Sequence, residues 1–217
     1  MKEKNLKAID ELYELYDRIP RAYIEQNLKI KNPEGKIVPF IFNEPQRIID
    51  EEVQKMIKDG KPVRIIVVKA RREGTSTLFL GYGFEKVVRH ENMNALIVAH
   101  EPEATSDLFD VAKLFYDELP EDERPMKKYD NKKQLSFENP DEFTKKSNPG
   151  LRSKIKTATA SKIGAGRGGE IHFLHLSEAS HYPNADQLML SLLPAVHDNP
   201  GTYIVFLLIG MRKLVNG

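Results

Sequence analysis

The chain has 217 residues, 30% of them charged and 40% apolar, with a formal net charge of +1 and no cysteine. That is enough length for one generous globular domain, and no apolar run approaches the ~20 residues of a membrane span. Disulfides and thiolate metal sites are excluded, and no global basic excess announces nucleic acid, so local patches must carry any such claim.

The N-terminus lacks the apolar stretch of a signal peptide, which makes the cytoplasm the default expectation. From Leu6 to Ile19 the residues Leu6, Ile9, Leu12, Tyr13, Leu15 and Tyr16 recur at helical spacing and predict one amphipathic helix. Between Leu28 and Phe42 the pattern is strand-like around a Pro33-Glu-Gly35 turn, which predicts a hairpin. Asn43-Glu44-Pro45-Gln46 then opens a helix through Asp50, Val53 and Met56. An amide such as Gln46 has the donor and acceptor needed to pair with an adenine edge, or is an ordinary first-turn residue facing water.

The β-branched run Ile65 to Val68 is followed by Lys69-Ala70-Arg71-Arg72-Glu73-Gly74-Thr75-Ser76-Thr77 and then by apolar residues that open a helix. Such a strand, loop and helix junction suits phosphate, because first-turn N–H groups lack intrahelical partners and sit at the positive end of the helix dipole. Ser76 falls where phosphate loops of the G-x-x-x-x-G-K-[ST] kind place a Mg²⁺ ligand. The first glycine and the lysine of that pattern are replaced by Lys69 and Thr75, while Lys69, Arg71 and Arg72 put three cations at the front of the loop. A buried strand ending in a basic surface turn is the plainer alternative.

A second strand at Ala95 to Ala99 precedes a helix beginning at Glu101-Pro102 and running through Leu108, Val111 and Phe115. Strands alternating with helices predict a mostly parallel sheet, with ligands beyond the strands' carboxyl ends. Residues 121–150 read as surface turns around one short strand at Gln134 to Glu138. Their lysines, Lys127, Lys128, Lys132, Lys133, Lys145 and Lys146, suit a phosphate backbone or a solvated edge. An alternating strand, Ile155/Thr157/Thr159, leads to the glycine-rich Gly164 to Gly169 around Arg167. A third strand, Ile171 to Leu176, ends in Ser177-Glu178. In phosphate-loop ATPases a strand ends in two acids, one holding the Mg²⁺ water shell and the next activating water. Here a hydroxyl takes the first place and Glu178 remains as base. His172 and His175, three apart on a strand, face opposite sides and are not read as a metal pair. A helix through Leu188 and Leu192 and a fourth strand from Tyr203 to Ile209 complete the pattern.

Together, Asn43-Glu-Pro-Gln46, Lys69 to Thr77, Ala95-Leu-Ile-Val-Ala-His100, Gly166-Arg-Gly168 and His175-Leu-Ser-Glu-Ala179 resemble the ATPase domain of the large terminase subunit of tailed bacteriophages. The resemblance implies an α/β fold: a mostly parallel, RecA-like phosphate-loop ATPase sheet flanked by helices. It divides the chain into an N-terminal helix, hairpin and glutamine segment, 1–60, and an ATPase core, 61–217. It implies ATP as substrate and Mg²⁺ as cofactor, with hydrolysis driving double-stranded DNA into a procapsid from a ring of about five subunits on the capsid portal. A small terminase subunit is the implied partner, and the host cytoplasm and the procapsid are the implied locations.

By the same resemblance, residues 69–77 and Gln46 bind nucleotide, with Gln46 on the adenine side. Lys69 and Arg71 face the phosphates, Ser76 holds Mg²⁺ directly and Ser177 holds it through water. Glu178 is the catalytic carboxylate and Arg167 the finger offered to a neighbouring subunit. Two departures stand out. Ser177 replaces the usual Asp, and Leu207 to Gly217 lacks the expected Ser/Thr-Ala-Ser/Thr coupling segment, as though truncated or read in another frame. The carboxylate-rich nuclease domain is also missing from the sequence, so no DNA cutting is expected. A helicase-like nucleic-acid ATPase and an ATP-binding module without hydrolysis are the alternatives.

Overall fold

A computed structural model describes residues 2–69, 73–131, 133–161 and 169–209. Its organising element is helix α4 (Thr75–Arg89), whose residues Leu78, Phe79, Leu80, Tyr82, Phe84, Val87 and Val88 are all buried. A helix apolar on every side must lie inside the molecule. Gly83 lets it lie close on the sheet, since a Cβ there would stand 2.8 Å from the Phe173 ring.

Beneath α4 runs a seven-stranded sheet. Five strands run parallel to one another: β3 (Val63–Lys69), β9 (Tyr203–Ile209), β8 (Phe173–Leu176), β4 (Asn94–Ala99) and β7 (Ser153–Thr159), in that order across the sheet. An antiparallel pair, β6 (Gln134–Phe137) and β5 (Tyr129–Asn131), extends it beyond β7. The sequence predicts one strand here; the second, Tyr129–Asn131, is too polar and too short to show a period. Helix α5 (Pro102–Asp117) lies with α4 on one face, and α6 (Ala185–Leu192) covers the β8 and β4 part of the other. The sheet is therefore sandwiched between helices, as the alternating pattern predicts. At its border, β3 pairs with β9 alone among the described strands, and its Ile66 and Val68 are exposed.

The N-terminal part folds onto the same core. Helix α1 (Lys2–Arg18) stops before Pro20, which opens a short second helix, α2 (Pro20–Asn27). The predicted hairpin forms as β1 (Lys29–Lys31) and β2 (Ile37–Pro39), and α3 (Glu44–Lys58) leads to the sheet. Tyr16, Tyr23, Ile24, Phe40 and Phe42 share one apolar cluster with α4 and the strands.

Arg89, at the end of α4, fastens α1 to this core. Its side chain is nearly buried, pairs with Glu85 at 2.8 Å and Asp17 at 2.9 Å, and lies over the rings of Tyr13, Tyr16 and Tyr23. Removing one partner of a buried pair strands the other charge. Arg89→Ala should therefore lose about 3 to 5 kcal/mol in urea unfolding, and an apolar pair at 85 and 89 should regain much of it.

Two histidines make stability depend on acid. Burial holds His175 down to about 3, with Lys69 adding to the effect, and burial with Lys86 and Arg89 holds His90 down to about 4. Unfolded, both titrate near 6.5. The unfolded chain then binds more protons as pH falls below that value, so stability is intact above about 6.5 and drains away toward about 4 for His90 and about 3 for His175. The slope due to His175 should reach at most about 1.4 kcal/mol per pH unit, and urea midpoints of His175→Leu should show a flatter acid limb.

Candidate functional site

The site is assembled at the carboxyl edge of the parallel strands. Leu176 pairs with Phe206 of β9, which pairs with Ile66 of β3, so Lys69 and Glu178 lie at nearly the same level beyond that row. Lys69 is half-buried, on the α4 face, and its charge reaches His175.

The turn into α4 is gripped from α3. Asn43 caps α3: its Oδ1 accepts from the Gln46 N–H at 3.0 Å, and the Gln46 Oε1 accepts from the Asn43 N–H at 3.0 Å. The other ends of both amides reach the loop. Asn43 Nδ2 donates to the Glu73 carbonyl at 3.3 Å and Gln46 Nε2 to the Gly74 carbonyl at 2.8 Å. The Gly74 carbonyl also accepts from Leu78 N at 3.0 Å, so two donors hold it. Because each peptide is planar and trans, fixing these carbonyls toward α3 turns the following N–H groups, those of Gly74 and Thr75, the other way. Gly74 adopts φ 71°, a left-handed conformation, and a Cβ there would stand 2.8 Å from Gln46 Nε2.

Gln46 thus does not face water, being 3% exposed, and each end of its amide makes a hydrogen bond within the protein. The spacing Asn-x-x-Gln before an apolar run is a capping-box pattern, and that was the sign in the sequence.

Across from the loop, Ser76 Oγ lies 3.3 Å from Ser177 Oγ. Ser177 is buried, and its N–H donates to the Val98 carbonyl at 2.8 Å, which fixes it against β4. Tyr182 reinforces this by donating its hydroxyl to the same carbonyl at 2.7 Å. Glu178 follows in a left-handed conformation, φ 56° and ψ 43°, which is strained for a residue bearing a Cβ. Its Oε2 stands 3.3 Å from Nδ1 of His100, and Nε2 of the same ring stands 3.2 Å from Glu101 Oε1. The sequence pattern includes His100 but gives it no role, because the contact joins the ends of two strands distant in the chain.

Ala70, Arg71, Arg72 and Arg167 lie outside the described residues, as do Lys132, Lys162 and 164–168 of the glycine-rich loop. Thr75 is buried, and the described part of the loop keeps Glu73, Gly74, Ser76 and Thr77 around the start of α4.

Chemically, the edge combines a helix N-terminus and an ammonium, which favour an anion, with paired hydroxyls and one carboxylate, which are hard oxygen donors. Among the described residues no group of three or more His, Asp or Glu side chains is placed to cage a metal. Such a sparse donor set fits Mg²⁺, which keeps several waters and takes one or two protein ligands beside substrate phosphates.

No family model matches the sequence, and no curated protein matches it. Among solved structures, the large terminase of bacteriophage HK97 superposes with a TM-score of 0.63 at 18% sequence identity, over 89% of this chain and 37% of that one. The protein therefore has a terminase-like α/β fold and spans little more than a third of the terminase chain's length.

Proposed function

We propose that this chain is the ATPase motor domain of a terminase large subunit, hydrolysing ATP to move double-stranded DNA into a procapsid. The observation that carries the reading is the meeting of Ser76 with Ser177, which joins the start of the helix after β3 to the end of β8 at the edge where Lys69 emerges. The likeness in fold to a phage large terminase supports it.

In this reading the first-turn N–H groups of α4 and the Lys69 ammonium bind and balance the phosphates, with Arg71 beside them. Glu178 orients the attacking water and takes its proton. Ser76 would hold Mg²⁺ directly and Ser177 through a water, the ion supplying charge neutralisation on the phosphate oxygens when bound. Asn43 and Gln46 keep the loop's N–H groups aimed, a positioning role in place of adenine recognition. Arg167 is offered to a neighbouring subunit of a ring seated on the portal, with a small terminase subunit as partner and the host cytoplasm as setting. Since an arginine supplied in trans is worth about 10³ to 10⁵ in rate, dilute monomer should be nearly idle.

A second reading, an ATP-binding module without hydrolysis, is favoured by one observation: the place of the metal-shell acid is held by a hydroxyl, Ser177, already committed to Ser76. Phosphate release at high protein concentration separates the two. Wild type should turn over ATP with Mg²⁺, and Glu178→Ala should lower kcat by at least about 100-fold while nucleotide binding by calorimetry persists. Lys69→Ala should weaken binding itself. Binding without any release in the wild type would select the second reading, and unchanged turnover in Glu178→Ala would refute the first.

A further inference from the structure

We propose that copies of this chain join head to tail, Phe143 of one entering an apolar groove along α6 of the next. This contact lies away from the nucleotide site and does not depend on the ATPase reading.

Phe143 and Leu190 are the two barest large apolar side chains among the described residues, 98% and 77% exposed. Phe143 belongs to the loop that joins β6 to β7 at the amino edge of the parallel strands, the end of the sheet opposite Lys69 and Glu178. The loop is fixed from within. Asn139, itself buried, donates through its N–H to the Pro149 carbonyl at 3.1 Å and through Nδ2 to the Asn148 carbonyl at 2.8 Å, while its Oδ1 accepts from the Asp141 N–H at 2.9 Å. The Asp141 carboxylate accepts in turn from the Phe143 N–H and from the Thr144 hydroxyl, each at 2.9 Å. Lys128 pairs with Glu142 and Lys145 with Glu138, both at 2.8 Å. Gly150 closes the neck at φ 71°, where a Cβ would stand 2.8 Å from the Asn139 nitrogen. A backbone held this way keeps the aromatic ring out in solvent, and a side chain already ordered loses little freedom on docking, as an interface anchor requires.

The groove lies on the other helical layer. Helix α6 buries Leu188 and Leu192 against the sheet, yet its outer side is apolar too. Met189 and Leu190, with Leu193 and Pro194 of the turn that follows and Asp186 one turn earlier, line a cavity of about 400 Å³. A surface helix ordinarily turns polar residues outward, so a second apolar side calls for a cover. The cover is not the chain's own Phe143, which stands almost wholly in solvent.

Charge favours a second copy as the occupant. Lys146, close to Phe143, and Asp186, at the rim of the groove, have no ion-pair partner among the described residues. A neighbour docked by its aromatic ring supplies each with the opposite sign. Since the two halves are different surfaces, the contact is heterologous and repeats, closing into a ring or continuing as an open array. One aromatic side chain in one groove is small beside a standard interface, so association should be reversible and graded with concentration.

The contact is tested by sedimentation equilibrium of the full chain over a concentration series without nucleotide. Wild type should self-associate. Phe143→Ala and Leu190→Glu should each weaken association by about 30-fold, and, both positions being exposed, should keep urea midpoints near that of the wild type. Phe143→Ala retains its groove and Leu190→Glu its aromatic ring, so an equal mixture of the two should form heterodimers and grow no further. A wild type that stays monomeric, a Phe143→Ala that associates as the wild type does, or a mixture without heterodimers overturns the contact. With no nucleotide present, failure of the ATPase reading leaves these outcomes unchanged.

Discussion

The hold of two α3 amides on the carbonyls of Glu73 and Gly74 is the constraint from which the rest of the site follows. A helix N-terminus attracts anions wherever it occurs, but only a turn of fixed orientation makes its N–H groups converge on one place. Here the orientation is set from outside the loop, by Asn43 and Gln46, which spend one end of each amide on capping α3 and the other on the turn. The left-handed Gly74 makes the arrangement possible, since a larger residue would meet the Gln46 amide. The turn thus gains rigidity from a neighbouring helix, and Lys69, at the end of the strand before it, carries a positive charge to the same edge.

The far wall obeys the same economy. A carboxylate in place of Ser177 would bring a full charge into a nearly buried position, with the desolvation that entails. The hydroxyl sits there against Ser76 without that cost. What is given up is a full charge beside Ser76, and Glu178, at the rim, is the acid that follows at that strand end. Its left-handed backbone and its contact with His100 show that its direction is governed by β4 and by the turn that follows it, rather than by β8 alone.

Much of this was legible in the sequence. Alternation of apolar runs with helical periods is a local property, and it gave the strands at Ile65 to Val68, Ala95 to Ala99 and Tyr203 to Ile209 and the helices between them. That Lys69 and Glu178 lie at the same end of the sheet follows from parallel order. Less visible were facts that arise only when distant segments touch. Gln46 has the chemistry of a base reader, and only the position of Gly74 shows that its amide is already engaged. His100 reads as the end of a strand until β8 is set beside β4. The strand at Tyr129–Asn131 is created by its partner, and so was hidden from any period.

The strand that presents Lys69 is also the border of the sheet. A central strand is held by two ladders of backbone hydrogen bonds, and among the described strands β3 is held by one, with Ile66 and Val68 exposed. In mechanical terms the ammonium stands on the compliant plank of an otherwise stiff floor. Twist or strain applied along that border reaches the cation first, while the backbone of Glu178 follows a strand, β8, that is paired on both flanks.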